Sequence, residues 1–179
     1  MRLDRPQLNT RYSLLVRRIV LIAALLLLLV PAAASARTSA PGDGTLVVKG
    51  GTVGLITIAA KGGVVGRFDQ GTLMIKDPNP DDDFDPIVTG ADKTHAINDF
   101  WTRYSGKNIR FRFIGGRFKI SITGTGASPA LGVDLSAVGQ GTVWLQGGGT
   151  LDDGTYSFNG DPAKTLPLIS RSFDLGASS

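Results

Sequence analysis

The sequence predicts an all-β domain, an antiparallel β-sandwich or barrel with one short helix. Three observations predict this class. All 15 acidic residues are Asp, which is typical of turns and caps, and Glu, which favours helix interiors, is absent. The chain has 24 glycines, which supply the positive φ angles of tight strand connections. Short runs of β-branched and aromatic residues also alternate with glycine pairs along most of the chain.

Residues 1–36 have the three parts of a secretory signal peptide. Five arginines precede an apolar run over 19–30, and Ala34-Ser35-Ala36 offers a cleavage site before Arg37. The apolar run is shorter than the roughly 20 residues of a spanning helix. We therefore expect cleavage near Arg37 and a secreted or cell-envelope location, with membrane contact only through the signal segment before cleavage.

The basic composition of the whole chain does not indicate a nucleic-acid-binding protein. Five of the 19 basic residues and one of the 15 acidic residues precede Arg37, which leaves 14 of each in the mature chain. The mature protein is therefore close to electroneutral and lacks the overall basic charge of a nucleic-acid binder. The chain has no cysteine, so disulfides and a lipid-modified N-terminal Cys are excluded.

The mature chain has the length of a single domain. We expect a flexible segment at 37–43, one β-domain over 44–170 and a loose tail at 171–179. The predicted strands lie at 45–49, 53–60, 64–68, 72–76, 109–114, 117–123, 133–138, 142–146, 155–158 and 166–169. An irregular β-solenoid is the alternative fold, because a Gly-Thr-apolar phrase starts at residues 44, 71, 141 and 154, although without the fixed period of a regular repeat.

The segment 109–122 predicts a β-hairpin with Gly115-Gly116 as its two-residue turn. In this register Phe113 lies opposite Phe118, and the apolar residues at every second position share their face. A slip of one residue would separate these side chains onto two faces. We therefore expect the phenylalanine face to be buried.

The segment 92–106 predicts the short helix, which would cover one end of the sheet. Its apolar residues follow the i, i+3, i+4, i+7 spacing of a helix face; they are Ile97, Phe100, Trp101 and Tyr104. Asp92 or Thr94 would cap its start.

Three stretches of the second half resemble small secreted β-proteins of high-GC Gram-positive bacteria. The stretches are Gly115–Lys119, Leu135–Val143 and Asp153–Gly160, and the likeness lies mainly in the placement of their glycines. The resemblance implies an exported β-domain and no particular activity.

The acidic segment 77–85 is a candidate calcium site. The residues with oxygen ligands are Asp77, Asn79, Asp81, Asp83 and Asp85. Ca²⁺ prefers several oxygen ligands on a flexible loop, and the first three match the opening of an EF-hand loop. The match ends there, because Asp82 stands where the loop needs Gly and Val88 where it needs Glu. A solvated acidic loop, stiffened by its prolines, is the alternative.

The solvent face of the predicted hairpin is a candidate ligand-binding surface. Its basic residues are Arg110, Arg112, Arg117 and Lys119. In the predicted register Arg112 lies opposite Lys119, and like charges in this position repel. We therefore expect an anion nearby, which is either an Asp of a neighbouring strand or a partner such as an envelope polyanion or an acidic surface protein.

Trp144 is a second candidate for ligand binding. It lies on the strand face opposite Val143 and Leu145, and an exposed indole offers a large apolar surface on which a sugar ring stacks. Burial beneath a second layer is the alternative for Trp144, and Trp101 is predicted to belong to the core.

No catalytic motif is present. The chain has one histidine, His95, and Asp99 follows it at helical spacing, but no G-x-S-x-G nucleophile turn accompanies them. The sequence therefore predicts a non-enzymatic exported protein of the cell envelope or its surroundings, which acts by binding or structural association. A carbohydrate-binding module and a secreted hydrolase are the alternatives.

Overall fold

The computed structural model describes residues 43–80 and 85–176. The predicted signal peptide, residues 37–42, residues 81–84 and residues 177–179 lie outside the described residues. The described residues form nine strands and no helix, which confirms the all-β prediction. The strands are β1 Gly44–Lys49, β2 Thr52–Lys76, β3 Ile87–Ala96, β4 Trp101–Thr123, β5 Ala130–Leu131, β6 Asp134–Gly147, β7 Thr155–Phe158, β8 Lys164–Thr165 and β9 Arg171–Leu175. No helix in this part of the chain is available to span a membrane.

All nine strands belong to one sheet. Its main path has the order β3-β4-β2-β6-β1-β7-β8, with β5 beside β2 and β9 beside β6. Every pairing is antiparallel except the short one between β2 and β5. The sheet is not closed, and its antiparallel neighbours distinguish it from a parallel β-helix. The fold is therefore sandwich-like, rather than the barrel or the solenoid that the sequence left open.

The sheet folds back on itself because β2 and β4 are long and bent. Residues 55–61 of β2 pair with residues 117–123 of β4. Residues 72–76 of β2 pair with 101–105 on one side and, on the other side, with 119–123. The last part of β4 therefore lies between two parts of β2, and the inward side chains of these parts share one core.

Glycines permit the strands to bend together. Gly62 of β2 faces Gly139 of β6, and both have a φ of 148°, which L side chains rarely adopt. A Cβ atom on Gly62 would overlap the carbonyl oxygen of Val138, and one on Gly139 would overlap that of Lys61. The two paired backbones therefore approach each other here at a separation that only glycine permits.

β4 bends at Gly115 and Gly116, whose φ angles are 92° and 64°. Opposite this bend the pairing with β2 shifts between Lys61 and Gly63, as it does where a bulge adds one residue to a strand. The extra residue changes which positions point inward. The buried residues are Ile109, Phe111 and Phe113 before the bend and Phe118, Ile120 and Ile122 after it.

The predicted burial of this segment is thus confirmed, but the predicted hairpin turn is wrong. Gly115 and Gly116 lie inside one strand, and both halves of that strand pair with β2 instead of with each other. β2 is long enough to supply backbone partners to the whole of β4. A hairpin of 109–122 alone would have left the remaining edges of both strands unpaired.

The predicted helix at 92–106 is also wrong, because this segment forms the end of β3, a turn and the start of β4. The turn is stabilised by Asn98, whose side-chain oxygen accepts hydrogen bonds from the backbone N–H groups of Phe100 (3.0 Å) and Trp101 (2.9 Å). Phe100 is exposed there. Trp101 is half-buried on β4, outside the buried core in which it was predicted.

The predicted loose tail is wrong for residues 171–175, which form β9 beside β6. Packing of Phe173 stabilises this strand. Its ring packs against Phe158 and Tyr156 of β7, with centroid distances of 5.3 and 5.4 Å. These aromatic contacts join β9, which pairs with β6, to β7 near one end of the sheet order.

The core lies on the inward side of the folded sheet. Its largest fully buried side chains are Leu46, Val48, Ile56, Ile58, Phe68, Leu73, Ile75, Ile109, Phe113, Ile120, Ile122 and Leu145. Each side chain of this kind contributes about 1.5–3 kcal/mol on burial. Because these residues alternate with outward residues along each strand, the core also determines which side chains face the solvent.

Candidate functional site

A groove of about 740 Å³ crosses the solvent face of β1, β6, β2, β4 and β3. Its volume lies within the range of ligand pockets, roughly 300–1,000 Å³. We call it the outer groove. Its outward-facing side chains are Val47, Lys49, Val65, Arg67, Ile87, Thr89, Arg110, Arg112, Asp134 and Ser136.

Strand alternation places these side chains on one face. In β4, Phe111 is buried while Arg110 and Arg112 are exposed on either side of it. The other strands of the groove show the same alternation, because successive residues of a strand point to opposite faces. Every buried residue beneath the groove thus positions two outward neighbours.

The pairing register arranges the outward side chains in two rows across the sheet. The first row is mainly apolar and contains Val47, Ser136, Val65, Arg112 and Ile87. The second row is mainly charged and contains Asp134, Arg67, Arg110 and Thr89. The outer groove therefore combines an aliphatic side with a cationic side.

Arg67 and Asp134 form an ion pair within the second row. The Arg67 Nε and Nη2 atoms donate hydrogen bonds to Asp134 Oδ2 at 3.1 and 2.8 Å, and the Gly50 backbone N–H donates to Asp134 Oδ1 at 3.2 Å. The Arg67 hydrogen bond holds the pKa of the Asp134 carboxyl below its usual range. Asp134 is therefore ionised at neutral pH, and its charge is matched by one arginine.

Arg110 and Arg112 do not form ion pairs with any described residue. Arg110 is flanked across the strands by Arg67 and Thr89, and Arg112 by Val65 and Ile87. Both guanidinium groups are exposed. Two arginines directly opposite each other repel, so this side of the groove favours an anion.

The structure brings together only part of the predicted basic surface. Arg110 and Arg112 line the outer groove, whereas Arg117 and Lys119 lie beyond the bend of β4, where Lys119 pairs with Ala59 and Lys76. The predicted contact between Arg112 and Lys119 is wrong, because the two residues are not cross-strand neighbours. The Asp of a neighbouring strand that was expected beside them instead pairs with Arg67.

Sequence reasoning missed two cations of the groove, Lys49 and Arg67. Both alternate with buried residues in predicted strands: Lys49 follows Val48, and Arg67 precedes Phe68. This alternation was available as a signal for solvent exposure. It did not show that β1 and β2 lie close enough to β4 to share a surface.

Trp144 is half-buried on the solvent-facing side of β6. It lies between Thr57 of β2 and Ser172 of β9. The row continues through a contact of 3.2 Å between the hydroxyls of Thr57 and Ser121. Trp144 is therefore partly accessible to solvent, and its cross-strand neighbours are small hydroxyl side chains.

The acidic segment is described in part. Asp77 is buried at the end of β2, and its Oδ1 accepts a hydrogen bond of 3.0 Å from the backbone N–H of Asn79. Asn79 and Asp85 are exposed, and Asp81 and Asp83 lie outside the described residues. Among described residues, no three potential metal-ligating side chains come together. The calcium site stays a prediction.

His95 lies on the solvent side of β3, where it is exposed opposite Arg103. Asp99 is exposed in the turn that follows. Neither residue lines the outer groove. The described lining of the outer groove therefore lacks the His and Asp pair that the hydrolase alternative requires in a cleft.

No protein-family model, curated protein or solved structure matches this chain. The resemblance to secreted β-proteins of high-GC Gram-positive bacteria stays a prediction. The geometry and charge of the site are therefore the basis for inferring its function.

Proposed function

We propose that the protein is an exported, non-enzymatic binding protein of the cell envelope or its surroundings, and that the outer groove holds an anionic ligand. The charge of the groove carries this proposal. Its described lining contains the cations Lys49, Arg67, Arg110 and Arg112 and one acid, Asp134. The export part of the proposal depends on the N-terminal sequence alone.

The chemistry of the cations indicates the class of ligand. Arg67 already satisfies Asp134, which leaves Arg110, Arg112 and Lys49 for an incoming group. Guanidinium groups bind carboxylates and phosphates through paired charge-assisted hydrogen bonds. A bound anion would also relieve the repulsion between Arg67 and Arg110. A phosphate- or carboxylate-bearing component of the envelope fits these requirements.

Isothermal titration of the protein with inorganic polyphosphate tests the proposal. The double variant Arg110→Gln/Arg112→Gln should bind at least about tenfold more weakly, because it removes two charge-assisted contacts. The control Lys93→Gln/Lys164→Gln removes the same charge from exposed positions outside the groove and should bind as the unmodified protein does. Equal losses in both variants would reduce the interaction to net charge and contradict a site in the groove.

Carbohydrate binding is a second candidate, favoured by the partly exposed indole of Trp144 among hydroxyl side chains. The chain has two tryptophans, so Trp101→Phe leaves Trp144 as the single indole. Cell-wall oligosaccharides should then shift its fluorescence as a sugar ring covers it. An unchanged spectrum at millimolar sugar would exclude stacking on Trp144.

A further inference from the structure

We infer that the face containing the outer groove docks on an anionic lipid surface. The inference rests on the proposed function, because it names the anionic partner of the same site. Its basis is a feature that charge does not explain, the exposure of four large aliphatic side chains on this face. They are Val65 (56% exposed), Ile87 (48%), Ile114 (64%) and Val138 (47%).

These four side chains, which we call the aliphatic strip, lie on neighbouring strands and in two adjacent rows of the same face. Gly63 of β2 pairs with Val138 of β6 on one side and with Ile114 of β4 on the other. Val65 follows two residues along β2, on the same face, and shares its row with Arg112 and Ile87 of β3. The strip therefore spans four neighbouring strands. Apolar surface grouped in this way marks an interaction site.

Cations flank the aliphatic strip on both sides. On one side Arg67 pairs with Arg110, in the second row of the outer groove. On the other side Lys61 pairs with Arg117 and with Gln140. Asp134, which is bound to Arg67, is the one acid among the described side chains of these rows. The face therefore has a mainly apolar centre, which also contains Arg112, between two basic margins.

An anionic lipid surface fits both parts of this pattern. Aliphatic side chains gain free energy by entering the boundary between head groups and acyl chains, while nearby Lys and Arg residues attract the anionic head groups. A free polyanion would contact the cations but leave the aliphatic strip in water. A second copy that used the same face would place basic margins against basic margins. The charges thus favour lipid over self-association.

A fluorescent label at Ile114 tests the inference directly. The chain has no cysteine, so Ile114→Cys in the full chain accepts a single environment-sensitive label, and the exposed position tolerates it. Lys93→Cys, on β3 outside the face, is the matched control. The probes are phosphatidylcholine vesicles with and without phosphatidylglycerol, an anionic lipid that gives the surface a negative potential. Because every variant keeps the same N-terminal segment, membrane binding through that segment acts on both labels, and the difference between positions 114 and 93 reports contact of this face.

We expect the label at position 114, but not at position 93, to brighten and shift to the blue with phosphatidylglycerol vesicles. Adding Arg112→Gln and Arg117→Gln should lower the partition coefficient about 30-fold, the effect of two basic residues near an anionic surface.

An equal response to neutral vesicles, an equal response at position 93, or no response would overturn lipid docking. A change in the label's fluorescence with protein concentration in the absence of vesicles would also overturn lipid docking, because it would indicate association with a second copy of the protein. If lipid docking fails in any of these ways but the protein still binds polyphosphate, the proposed anion site is retained. If lipid docking is observed but polyphosphate binding is absent, only the proposed anion site is contradicted.

Discussion

Phe113 and Phe118 pack ring against ring, with centroids 5.1 Å apart, although both belong to the single strand β4. The bend between them directs both rings to the inward side of the sheet. Phe113 pairs with Val64 of β2, and Phe118 pairs with Ala60, so the contact spans the matching bend of the partner strand. This packing connects the two halves of the folded sheet.

Replacing Phe118 therefore tests the core at the bend. Phe118 is 4% exposed, and Phe118→Ala should cost about 3–5 kcal/mol, the range for emptying a buried aromatic site. Arg112→Ser, on the opposite face of the same strand, should change the free energy of unfolding by no more than about 0.5 kcal/mol. Urea midpoints measure both. A costly Arg112→Ser with a mild Phe118→Ala would contradict the observed facing of β4.

The close approach of β2 and β6 at Gly62 predicts a difference between two adjacent glycines. Gly62→Ala would force a Cβ into the carbonyl of Val138 at a φ of 148°, whereas a Cβ on Gly63 would lie 3.4 Å from the nearest atom, the Phe113 carbonyl oxygen. Gly62→Ala should therefore lose about 3 kcal/mol or more. Gly63→Ala should stay within about 1 kcal/mol of the unmodified protein. Thermal or urea unfolding compares them, and equal losses would contradict this close approach of the two backbones.

Asp153 predicts acid-sensitive stability. Partial burial is the largest influence on its carboxyl and raises the pKa, but hydrogen bonds from the Thr52 hydroxyl and the backbone N–H groups of Thr150 and Gly149 together leave the pKa lowered. A carboxyl whose pKa is lower in the folded state stabilises the protein above its unfolded pKa of about 4. That stability is lost as the pH falls through the folded value.

Urea unfolding between pH 7 and pH 2, roughly the range that brackets carboxyl titration, measures this effect. The difference in unfolding free energy between the unmodified protein and Asp153→Asn should be constant near neutrality and shrink below about pH 4. Thr52→Val removes the hydroxyl donor at 2.7 Å and should reduce the same pH-dependent difference. A difference independent of pH would show that the charge of Asp153 does not stabilise the fold.

The N-terminal sequence predicts a processed product. The secreted form should start at or near Arg37 and be close to electroneutral, because 14 basic and 14 acidic residues follow the cleavage site. N-terminal sequencing and isoelectric focusing of secreted material measure both properties. A chain that begins at Met1 and stays in the membrane fraction would contradict cleavage.

The buried face of β4 was predictable because alternation is a local property. Phe111, Phe113, Phe118 and Ile120 share a face if Gly115-Gly116 is a two-residue turn, and they share it equally if one extra residue forms a bulge. In both arrangements the inward residues are odd-numbered before the two glycines and even-numbered after them. The correct facing could therefore be derived from a wrong connection.

The prediction of a helix at 92–106 was wrong for a related reason. The spacing of Phe100, Trp101 and Tyr104 also occurs in a turn followed by a strand, and periodicity over so short a segment does not distinguish the two. Residues 72–76 of β2 offer backbone partners to 101–105. This long-range pairing overrides the local helical pattern.

The sequence by itself determined the all-β class and the side chains that alternate between core and solvent, since each depends on composition or on neighbours in the chain. Export is predicted from the N-terminal sequence. Only the tertiary structure decided the partner of each strand. It placed Arg110 beside Arg67 and Arg112 beside Val65, and it separated Arg112 from Lys119. A two-residue period states which face a side chain occupies but not which strand lies next to it. The outer groove, built from five strands, depends on that second choice.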